Sequence, residues 1–348
     1  MQDDTRGRDL EGSRQETVAV LGAGSWGTAL AKLLADEGHP TRLWARRPEQ
    51  AADIEASREN ATYLPGFRLP DTLHATGSLE EALSGATLIV WVVPTHGLRA
   101  SIEAARPMLP PDAPIVSATK GIEEGSLKLV SQIFETLLPT PSHPLLTFLG
   151  GPSFAKEVAQ RMPTAVSLAG RDAAVRERVQ QAFATDRFRV YTTEDVIGVE
   201  LGGALKNVIA IAAGIADGLG LGHNTRAGLI TRGLAEISRL GVAAGANPLT
   251  LSGLSGMGDL VLTCTGELSR NRQVGVQLGE GKTLAEILDG MQMVAEGVRT
   301  TKSAHNLSRK LGVEMPITDQ VYAALYEGKP PLAAVTDLMT RPPRDERE

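Results

Sequence analysis

Short apolar runs alternate with longer amphipathic segments through the first half of the chain. The strand-like runs cover residues 17–21, 41–45, 88–93, 114–118, 145–149, 164–168 and 187–191. Alternation of this kind predicts a parallel sheet with helices on both faces. From about Glu194 the strand pattern stops, and helical patterns broken by glycine-rich loops continue almost to the end. We therefore expect an α/β fold in which a doubly wound parallel sheet, residues 17–193, precedes an all-helical C-terminal domain, residues 194–340.

The segment VLGAGSWGTALAKLLADEG, residues 20–38, joins the first predicted strand to the first predicted helix. Gly22, Gly24 and Gly27 match the pattern GxGxxG. In this pattern the first glycine permits a tight turn, the second lets the backbone approach a pyrophosphate, and the third lets the helix pack on the strand. A glycine-rich turn without a ligand is the alternative. The position of the turn between a strand and a helix favours a dinucleotide site in a Rossmann-like domain.

The end of the second predicted strand bears on the choice of dinucleotide. Ligands of such domains bind beyond the carboxyl ends of the strands, and this strand is followed by Arg46 and Arg47. Dehydrogenases specific for NAD usually have an acidic residue here, which binds the ribose 2′-hydroxyl. Two guanidinium groups suit a 2′-phosphate instead, although a solvated surface pair is the alternative. The sequence favours NADP(H) as the cofactor and leaves NAD(H) open.

The helical half contains a candidate proton donor. Residues 200–222, ELGGALKNVIAIAAGIADGLGLG, are long and apolar enough for a membrane span, but Lys206, Asn207 and several glycines favour a helix buried against protein. Burial lowers the pKa of a lysine towards values useful for proton transfer, whereas a lysine that reaches the surface would have no such role. Asp259, in the segment SGLSGMGDLVLTC, either pairs with Lys206 or caps a helix.

A second polar cluster follows in the segment ELSRNRQVG, which places Ser269, Arg270, Asn271 and Arg272 in one helical turn. Hydroxyl, guanidinium and amide donors gathered in this way suit a phosphate group. A solvated polar helix start explains them nearly as well.

Composition narrows the classes of partner. The 348-residue chain has a net charge of -6, which gives no general attraction to nucleic acid or to an anionic membrane. Its single cysteine cannot form an internal disulfide, and its six histidines show no spacing typical of metal ligands. Residues 1–16 are charged and predict a disordered extension rather than a signal peptide, and residues 341–348 predict a flexible tail. We expect a cytoplasmic protein without a metal site, whose ligands are small molecules.

Seven motifs occur in order along the chain: GAGSWGTALA, ATKGIE, GGPSFAKEV, ALKNVIAIAAGIADGL, SGMGDLVLTC, SRNR and VAEGV. In this order and spacing they resemble bacterial NAD(P)-dependent glycerol-3-phosphate dehydrogenase, and the resemblance extends from Thr17 to Met339. It implies a Rossmann domain joined to a helical domain. It also implies reversible reduction of dihydroxyacetone phosphate to sn-glycerol 3-phosphate, which supplies glycerophospholipid synthesis.

The resemblance implies roles for the residues at matching positions. Lys206 would be the proton donor and acceptor, with Lys120 close to both cofactor and substrate. Substrate contacts would come from Lys120, Gly151, Ser153, Lys206, Asp259, Ser269, Arg270 and Asn271. Beside the turn glycines Gly22, Gly24 and Gly27, cofactor contacts would come from Ser25, Trp26, Arg46, Arg47, Lys120, Ala155, Arg270, Val294 and Glu296.

Other functions fit parts of the sequence. A two-domain dehydrogenase acting on a hydroxy acid or a sugar nucleotide fits the fold, but it does not predict SRNR beside GMGDL. A nicotinamide-sensing protein without turnover fits the Rossmann half and leaves Lys206 unexplained. A membrane-associated role lacks an anchor or a polybasic patch. A homodimer is the default assembly, because dimers are the commonest soluble oligomers.

Overall fold

The computed structural model of the protein describes residues 15–291, 295–343 and 345–346. Three predictions fall outside the described residues: residues 1–14 of the disordered extension, the cofactor contact Val294, and residues 344 and 347–348 of the tail.

Strands occupy the first half of the described chain, and each of the seven predicted runs overlaps one. Their bounds are β1 Val18–Leu21, β2 Thr41–Trp44, β3 Glu59–Asn60, β4 Leu64–Arg68, β5 Leu73–Thr76, β6 Leu88–Trp91, β7 Ile115–Ser117, β8 Leu146–Gly150, β9 Thr164–Gly170 and β10 Phe188–Thr193. Among the described residues, eight of the strands form one sheet in the order β10-β9-β8-β7-β6-β1-β2-β5, while β3 and β4 form a separate hairpin. The α/β class is confirmed.

Helices fill the connections and the second half of the described chain. They are α1 Ser25–Asp36, α2 Pro48–Ser57, α3 Leu79–Leu83, α4 Thr95–Ala105, α5 Val130–Leu137, α6 Ala155–Ala159, α7 Ala173–Phe183, α8 Val196–Gly218, α9 Gly222–Ala243, α10 Pro248–Leu251, α11 Asp259–Thr265, α12 Arg270–Gly279, α13 Leu284–Asp289, α14 Glu296–Leu311, α15 Pro316–Tyr326 and α16 Pro331–Met339. The predicted change from a sheet domain to a helical region is confirmed.

Helices cover both faces of the sheet because alternate residues of each strand point to opposite sides. In β1, Val18 and Val20 pack into one core with α1 and α7. Ala19 and Leu21 pack into a second core with α4 and α5. The strand is therefore buried on both faces, as its continuous apolar run indicates.

The prediction of a wholly parallel sheet is wrong at one edge. β8 and β9 are antiparallel, with Leu149 paired to Leu168, and β10 is parallel to β9. The connection from β8 to β9 contains the short helix α6, which packs against α1. The chain therefore re-enters the sheet without the long crossover that a parallel pair needs. The apolar pattern of a strand carries no information about its direction.

The sequence prediction also missed β5 and the β3–β4 hairpin. β5 is the edge strand beside β2. It begins with buried Leu73, and the next residue, His74, is exposed. The hairpin strands are short and mostly polar or exposed. Neither has the apolar run that marks a central strand.

The boundary of the predicted N-terminal extension is corrected by two residues. Glu16 is 2% exposed, and both of its carboxylate oxygens accept hydrogen bonds from the guanidinium of Arg178 at 2.8 Å. Gln15 donates to the carbonyl oxygen of Gly38. These contacts hold the start of the described chain against α7 and the end of α1.

Helix α8 is the central element of the helical region. Within the described residues it is the one helix long and apolar enough to cross a membrane, and 94% of its apolar window is buried inside the protein. Helices α9, α11, α12 and α14 pack around it. The prediction of a core helix rather than a membrane span is confirmed.

The contact between α8 and α12 is made by their backbones. A Cβ atom at Gly214 would lie 2.1 Å from the carbonyl oxygen of Arg272, and one at Gly275 would lie 2.1 Å from that of Ile211. No side chain larger than hydrogen fits at either position without displacing the helices. This close approach fixes the start of α12 relative to the middle of α8.

Candidate active site

The glycine turn between β1 and α1 has the geometry of a dinucleotide site. Gly22 has φ +121°, and a Cβ there would lie 2.6 Å from the carbonyl oxygen of Val92. A Cβ at Gly27 would lie 1.8 Å from the carbonyl oxygen of Gly22, so the helix can approach the strand only without a side chain. A Cβ at Gly24 would meet nothing within 4 Å. The space beside the start of α1 is open, and helix N-termini bind phosphates, so the turn fits a pyrophosphate.

The residues after β2 lie at the same edge of the sheet. Arg46 and Arg47 are exposed, and Arg47 donates to Gln50, whose amide donates to the carbonyl oxygen of Ala23 in the glycine turn. Burial lowers the pKa of His96, at the start of α4, and the positive charges of Arg299 and Arg46 lower it further. The positive charges of Arg46 and Arg299 therefore both act at the start of α4, where the charge of Glu124 opposes them.

Two predicted cofactor residues from distant parts of the sequence meet beside the turn. Trp26 in α1 and Ala155 in α6 both pack against a small apolar cluster that includes Ala29 and Ala159. The contact between α1 and α6 brings them together. The chain after β8 thus reaches back to the glycine turn.

The centre of the site is a buried carboxylate that contacts two lysines. Asp259 is 1% exposed and Lys206 is 7% exposed. Lys206 Nζ donates a short hydrogen bond to Asp259 Oδ1 and a second, of 2.9 Å, to Thr263 Oγ1. Lys120 Nζ donates to Asp259 Oδ2 at 2.8 Å and to the carbonyl oxygen of Gly151 at 3.5 Å. Each carboxylate oxygen therefore accepts from a different ammonium group.

Three elements position these groups. Lys206 projects from α8, Lys120 lies in the loop after β7, and Asp259 is the first residue of α11, directly after a π-helical turn. Asp259 and Thr263 lie one turn apart on α11, so both face the same lysine. Of the two alternatives for Asp259, the pairing with Lys206 is confirmed and the helix cap is wrong, because Gly258 is the N-cap residue of α11 and the Asp259 side chain makes no capping hydrogen bond.

Burial and charge set the protonation of Lys206. Burial lowers its pKa to about 8, the charge of Asp259 opposes this shift, and the charge of Lys120 adds to it. At pH 7 the group is therefore mostly an ammonium ion that can release and regain a proton. Such a pKa suits general acid and base chemistry near neutral pH.

The polar turn at the start of α12 is largely occupied by contacts within the protein. Ser269 Oγ caps the helix by accepting from the backbone N–H of Arg272 at 3.2 Å. Arg272 is ion-paired with Asp217 of α8 at 2.6 Å. Asn271 donates to Asn207 Oδ1 and accepts from the backbone N–H of Gly297, each at 2.9 Å. Arg270 is exposed, so its guanidinium can contact an anionic ligand.

Glu296 begins α14 and faces the same cations. Burial raises the pKa of its carboxyl group, while the charges of Arg270, Lys120 and Lys206 oppose that shift. A cleft of about 460 Å³ between α4, the loop after β7 and α14 is lined by Lys120 and Glu296. The structure therefore brings together predicted substrate and cofactor residues from both halves of the chain.

Ser153 and Gly151 lie beside Lys120. The hydroxyl of Ser153 donates to the carbonyl oxygen of Gly151 at 3.1 Å, the same oxygen that Lys120 contacts. A Cβ at Gly151, where φ is +124°, would lie 3.0 Å from the backbone of Val166. The glycine lets the chain turn sharply after β8 and brings this carbonyl to the lysine.

Two site residues were missed from the sequence. Thr263 contacts Lys206 directly, and its position four residues after Asp259 was the available signal. Asn207 follows Lys206 in the chain and orients Asn271. No sequence rule pairs two asparagines that are 64 residues apart.

Models of the NAD-dependent glycerol-3-phosphate dehydrogenase family match both halves of the chain. The N-terminal model covers residues 17–176, and the C-terminal model covers residues 195–336. The chain belongs to this family. The resemblance inferred from the seven motifs is therefore confirmed.

Individual glycerol-3-phosphate dehydrogenases are similar over nearly their whole length. The chain is 59% identical over 326 residues to "Glycerol-3-phosphate dehydrogenase [NAD(P)+]" from Citrifermentans bemidjiense, covering 94% of this chain and 97% of that one. The Myxococcus xanthus enzyme of the same name is 56% identical over 328 residues, with coverage of 94% and 98%. The crystal structure of glycerol-3-phosphate dehydrogenase from Coxiella burnetii matches with a TM-score of 0.89 and 42% identity, covering 94% of this chain and 99% of that chain.

Proposed function

We propose that this protein catalyses the reversible NAD(P)H-dependent reduction of dihydroxyacetone phosphate to sn-glycerol 3-phosphate. The observation that carries the proposal is the pair of lysines on buried Asp259, next to a cleft that Lys120 and Glu296 line. The names of the similar enzymes support both NAD and NADP as cofactors. The product is a precursor for glycerophospholipid synthesis.

The reaction needs a proton at the carbonyl oxygen. When bound, the reduced nicotinamide would supply a hydride for the carbonyl carbon, and negative charge would then develop on the carbonyl oxygen. The ammonium group of Lys206 donates a proton to that oxygen, and the resulting neutral amine removes it again in the reverse direction. General acid catalysis of this kind contributes roughly 10²–10⁴ in rate.

The neighbours of Lys206 orient it for this transfer. Asp259 and Thr263 accept two hydrogen bonds from Nζ, which leaves the third ammonium proton for the substrate, because a lysine has three donors. Lys120 provides a second positive charge, on the other side of the Asp259 carboxylate. This charge stabilises the oxyanion as it develops. Both charges act in a site shielded from water, where they are stronger than in solution.

We assign the phosphate group of the substrate to the start of α12. Arg270 provides an exposed guanidinium there, and the N-terminus of a ten-residue helix favours an anion. Ser269 and Asn271 shape this turn through the contacts described above, and Gly151 and Ser153 border the substrate beside Lys120. Holding the phosphate in this way orients the carbonyl group towards Lys206.

We assign the cofactor to the glycine turn and to the cleft that Lys120 and Glu296 line. Gly22, Gly24, Ser25 and Gly27 would hold its pyrophosphate, and further contacts would come from Trp26, Arg46, Arg47, Lys120, Ala155, Arg270 and Glu296. Arg46 and Arg47 favour NADPH over NADH, because guanidinium groups bind a 2′-phosphate.

The proposed enzyme works in the cytoplasm on small soluble ligands. Its negative net charge does not favour nucleic acid or anionic membranes. A homodimer is the expected assembly on general grounds.

The direct test of the function is a spectrophotometric assay. Purified protein is mixed with NADPH or NADH and dihydroxyacetone phosphate, and the absorbance of the reduced nicotinamide is followed. We expect oxidation that depends on the ketone, with sn-glycerol 3-phosphate as the product. Oxidation that occurs only with a hydroxy-acid precursor or a sugar nucleotide would identify another dehydrogenase, and no ketone-dependent oxidation would identify a binding protein.

The substitution Lys206→Met keeps the length and apolar bulk of the side chain and removes its protons. Turnover should fall by roughly two to four orders of magnitude, the range for loss of a general acid. NADPH affinity should persist, since the glycine turn is unchanged. The control Lys32→Met removes a lysine on α1 that pairs with Asp36, and it should leave turnover unaffected. A folded Lys206→Met protein that turns over within about threefold of the parent would exclude Lys206 as the proton donor.

The substitution Arg270→Ala tests the phosphate assignment. It should raise the KM for dihydroxyacetone phosphate strongly, because a hydrogen bond to a charged group is worth about 1.5–3 kcal/mol. Unphosphorylated dihydroxyacetone is the matched control substrate, and its slow turnover should fall much less, only by what the proposed cofactor contact of Arg270 contributes. Comparable losses with both ketones, measured as kcat/KM, would assign the effect to the cofactor contact or to folding and would contradict the phosphate contact.

Replacing Arg46 and Arg47 together with glutamine tests the cofactor preference. We expect a selective loss of NADPH affinity, measured by fluorescence titration, because two charge-assisted contacts are removed. NADH affinity serves as the internal control and should stay near the parent value. An equal loss for both cofactors would assign the arginines a structural role, and unchanged NADPH affinity would show that they are only solvated.

A further inference from the structure

Helix α5 has no polar side chain at its N-cap position, and its own Gln132 accepts only from the backbone N–H of Leu129, at 3.0 Å. Its N-cap residue is Leu129, and the backbone N–H of Ser131, the second helical residue, is one that an N-cap side chain usually satisfies. Here the acceptor comes from another helix. Glu200 of α8 accepts from the backbone N–H and from the hydroxyl of Ser131, each at 2.6 Å, and Glu200 is only 8% exposed.

This cap connects the segments that carry the two lysines. The loop from β7 to α5 begins near Lys120 and ends at Leu129, and it is closed by a bridge between Ile122 and Leu129. Its far end is therefore tied to α8 by Glu200, on the same helix as Lys206. Lys206 lies six positions after Glu200, which is about 9 Å along a rigid helix.

The two lysines repel each other, and the cap that Glu200 provides restrains the loop against this repulsion. Both ammonium groups donate to Asp259, and the charge of Lys120 lowers the pKa of Lys206. A loop that was free to move would relieve the repulsion by withdrawing Lys120. The contact between Glu200 and Ser131 restrains the loop at the end opposite to Lys120.

We propose that Glu200 is a positioning residue for the reaction: by capping α5 from α8, its carboxylate fixes Lys120 in place beside Asp259 and Lys206. The proposal rests on the proposed function for its kinetic consequence, but the geometry of the two lysines is a property of the protein alone. Glu200 itself touches neither lysine in the contacts described.

Glu236 provides a matched control. This carboxylate of α9 is 2% exposed and also caps a helix that it does not belong to. It accepts from the backbone N–H of Ile317 at 2.5 Å and from the backbone N–H and hydroxyl of Thr318 at 3.2 Å, at the start of α15. The chemistry of the cap is the same, but neither active-site lysine is attached to the helix that it caps.

The experiment compares Glu200→Met, Glu200→Gln and Glu236→Met. Methionine removes both acceptors at similar length. Glutamine keeps the cap, because its carbonyl accepts from the Ser131 N–H and its amide donates to the hydroxyl.

The first readout is the pKa of Lys206. It is measured by an NMR pH titration of protein labelled at lysine, in which the Lys206 signal is assigned by its absence from Lys206→Met. The groups that act on Lys206 are Asp259, Thr263 and Cys264 of α11, Lys120 of the loop and Glu296 of α14.

In Glu200→Met we expect the pKa of Lys206 to rise, since Lys120 withdraws and its positive charge no longer opposes the ammonium form. The second readout is kcat for dihydroxyacetone phosphate, which should fall about tenfold to a hundredfold, as a misplacement of about 1 Å can cause. Glu200→Gln should restore both values. Glu236→Met should lower the midpoint of thermal unfolding and leave the pKa of Lys206 unchanged.

Two results would overturn the proposal. One is a folded Glu200→Met protein in which the pKa of Lys206 is the same as in the parent. The other is an equal shift in Glu236→Met, which would assign the effect to general loss of stability. If the parent does not reduce dihydroxyacetone phosphate, the proposed function fails, and the NMR titration still decides the positioning role.

Discussion

The arrangement of the active site depends on one buried carboxylate, that of Asp259. Asp259 is 1% exposed, and burying a single charge to that extent would cost free energy of folding. Two neighbouring lysines without a counter-charge would cost more. Asp259 offsets both costs by accepting from Lys206 with one oxygen and from Lys120 with the other. The result is a compact group with one negative and two positive charges, whose excess positive charge matches the negative charge that develops on a reduced carbonyl oxygen.

The fold serves to bring the three charged residues together. The sheet domain supplies Lys120 from the loop after β7, and the helical region supplies Lys206 from its most buried helix. The glycine contacts between α8 and α12 then set the distance from Lys206 to the turn that holds Arg270. Tight backbone packing therefore takes the place of flexible side chains in placing the proposed proton donor relative to the proposed phosphate site. The groups to which we assign the proton, the phosphate and the dinucleotide are in this way held on rigid elements.

Much of this arrangement could be predicted from the sequence, because the relevant signals are local. The glycine turn, the apolar helix around Lys206 and the strand pattern each lie within a short window of residues. The partner of Asp259 was left open, since a helix start and an ion pair have the same local pattern. The direction of β9, the contact of Asn271 with Asn207 and the cap that Glu200 provides depend on residues far apart in the chain. No local pattern specifies such contacts.

The most direct test of the account is the pH dependence of kcat/KM in both directions of the reaction. Only the ammonium form of Lys206 can donate a proton, and only the amine can accept one, so a pKa of about 8 divides the two activities. The account predicts that reduction of dihydroxyacetone phosphate declines above about pH 8, whereas oxidation of sn-glycerol 3-phosphate declines below it. Two results would contradict the account. One is a kcat/KM for reduction that stays unchanged to about pH 10, near the ordinary pKa of lysine. The other is a kcat/KM that changes in the same sense with pH in both directions of the reaction.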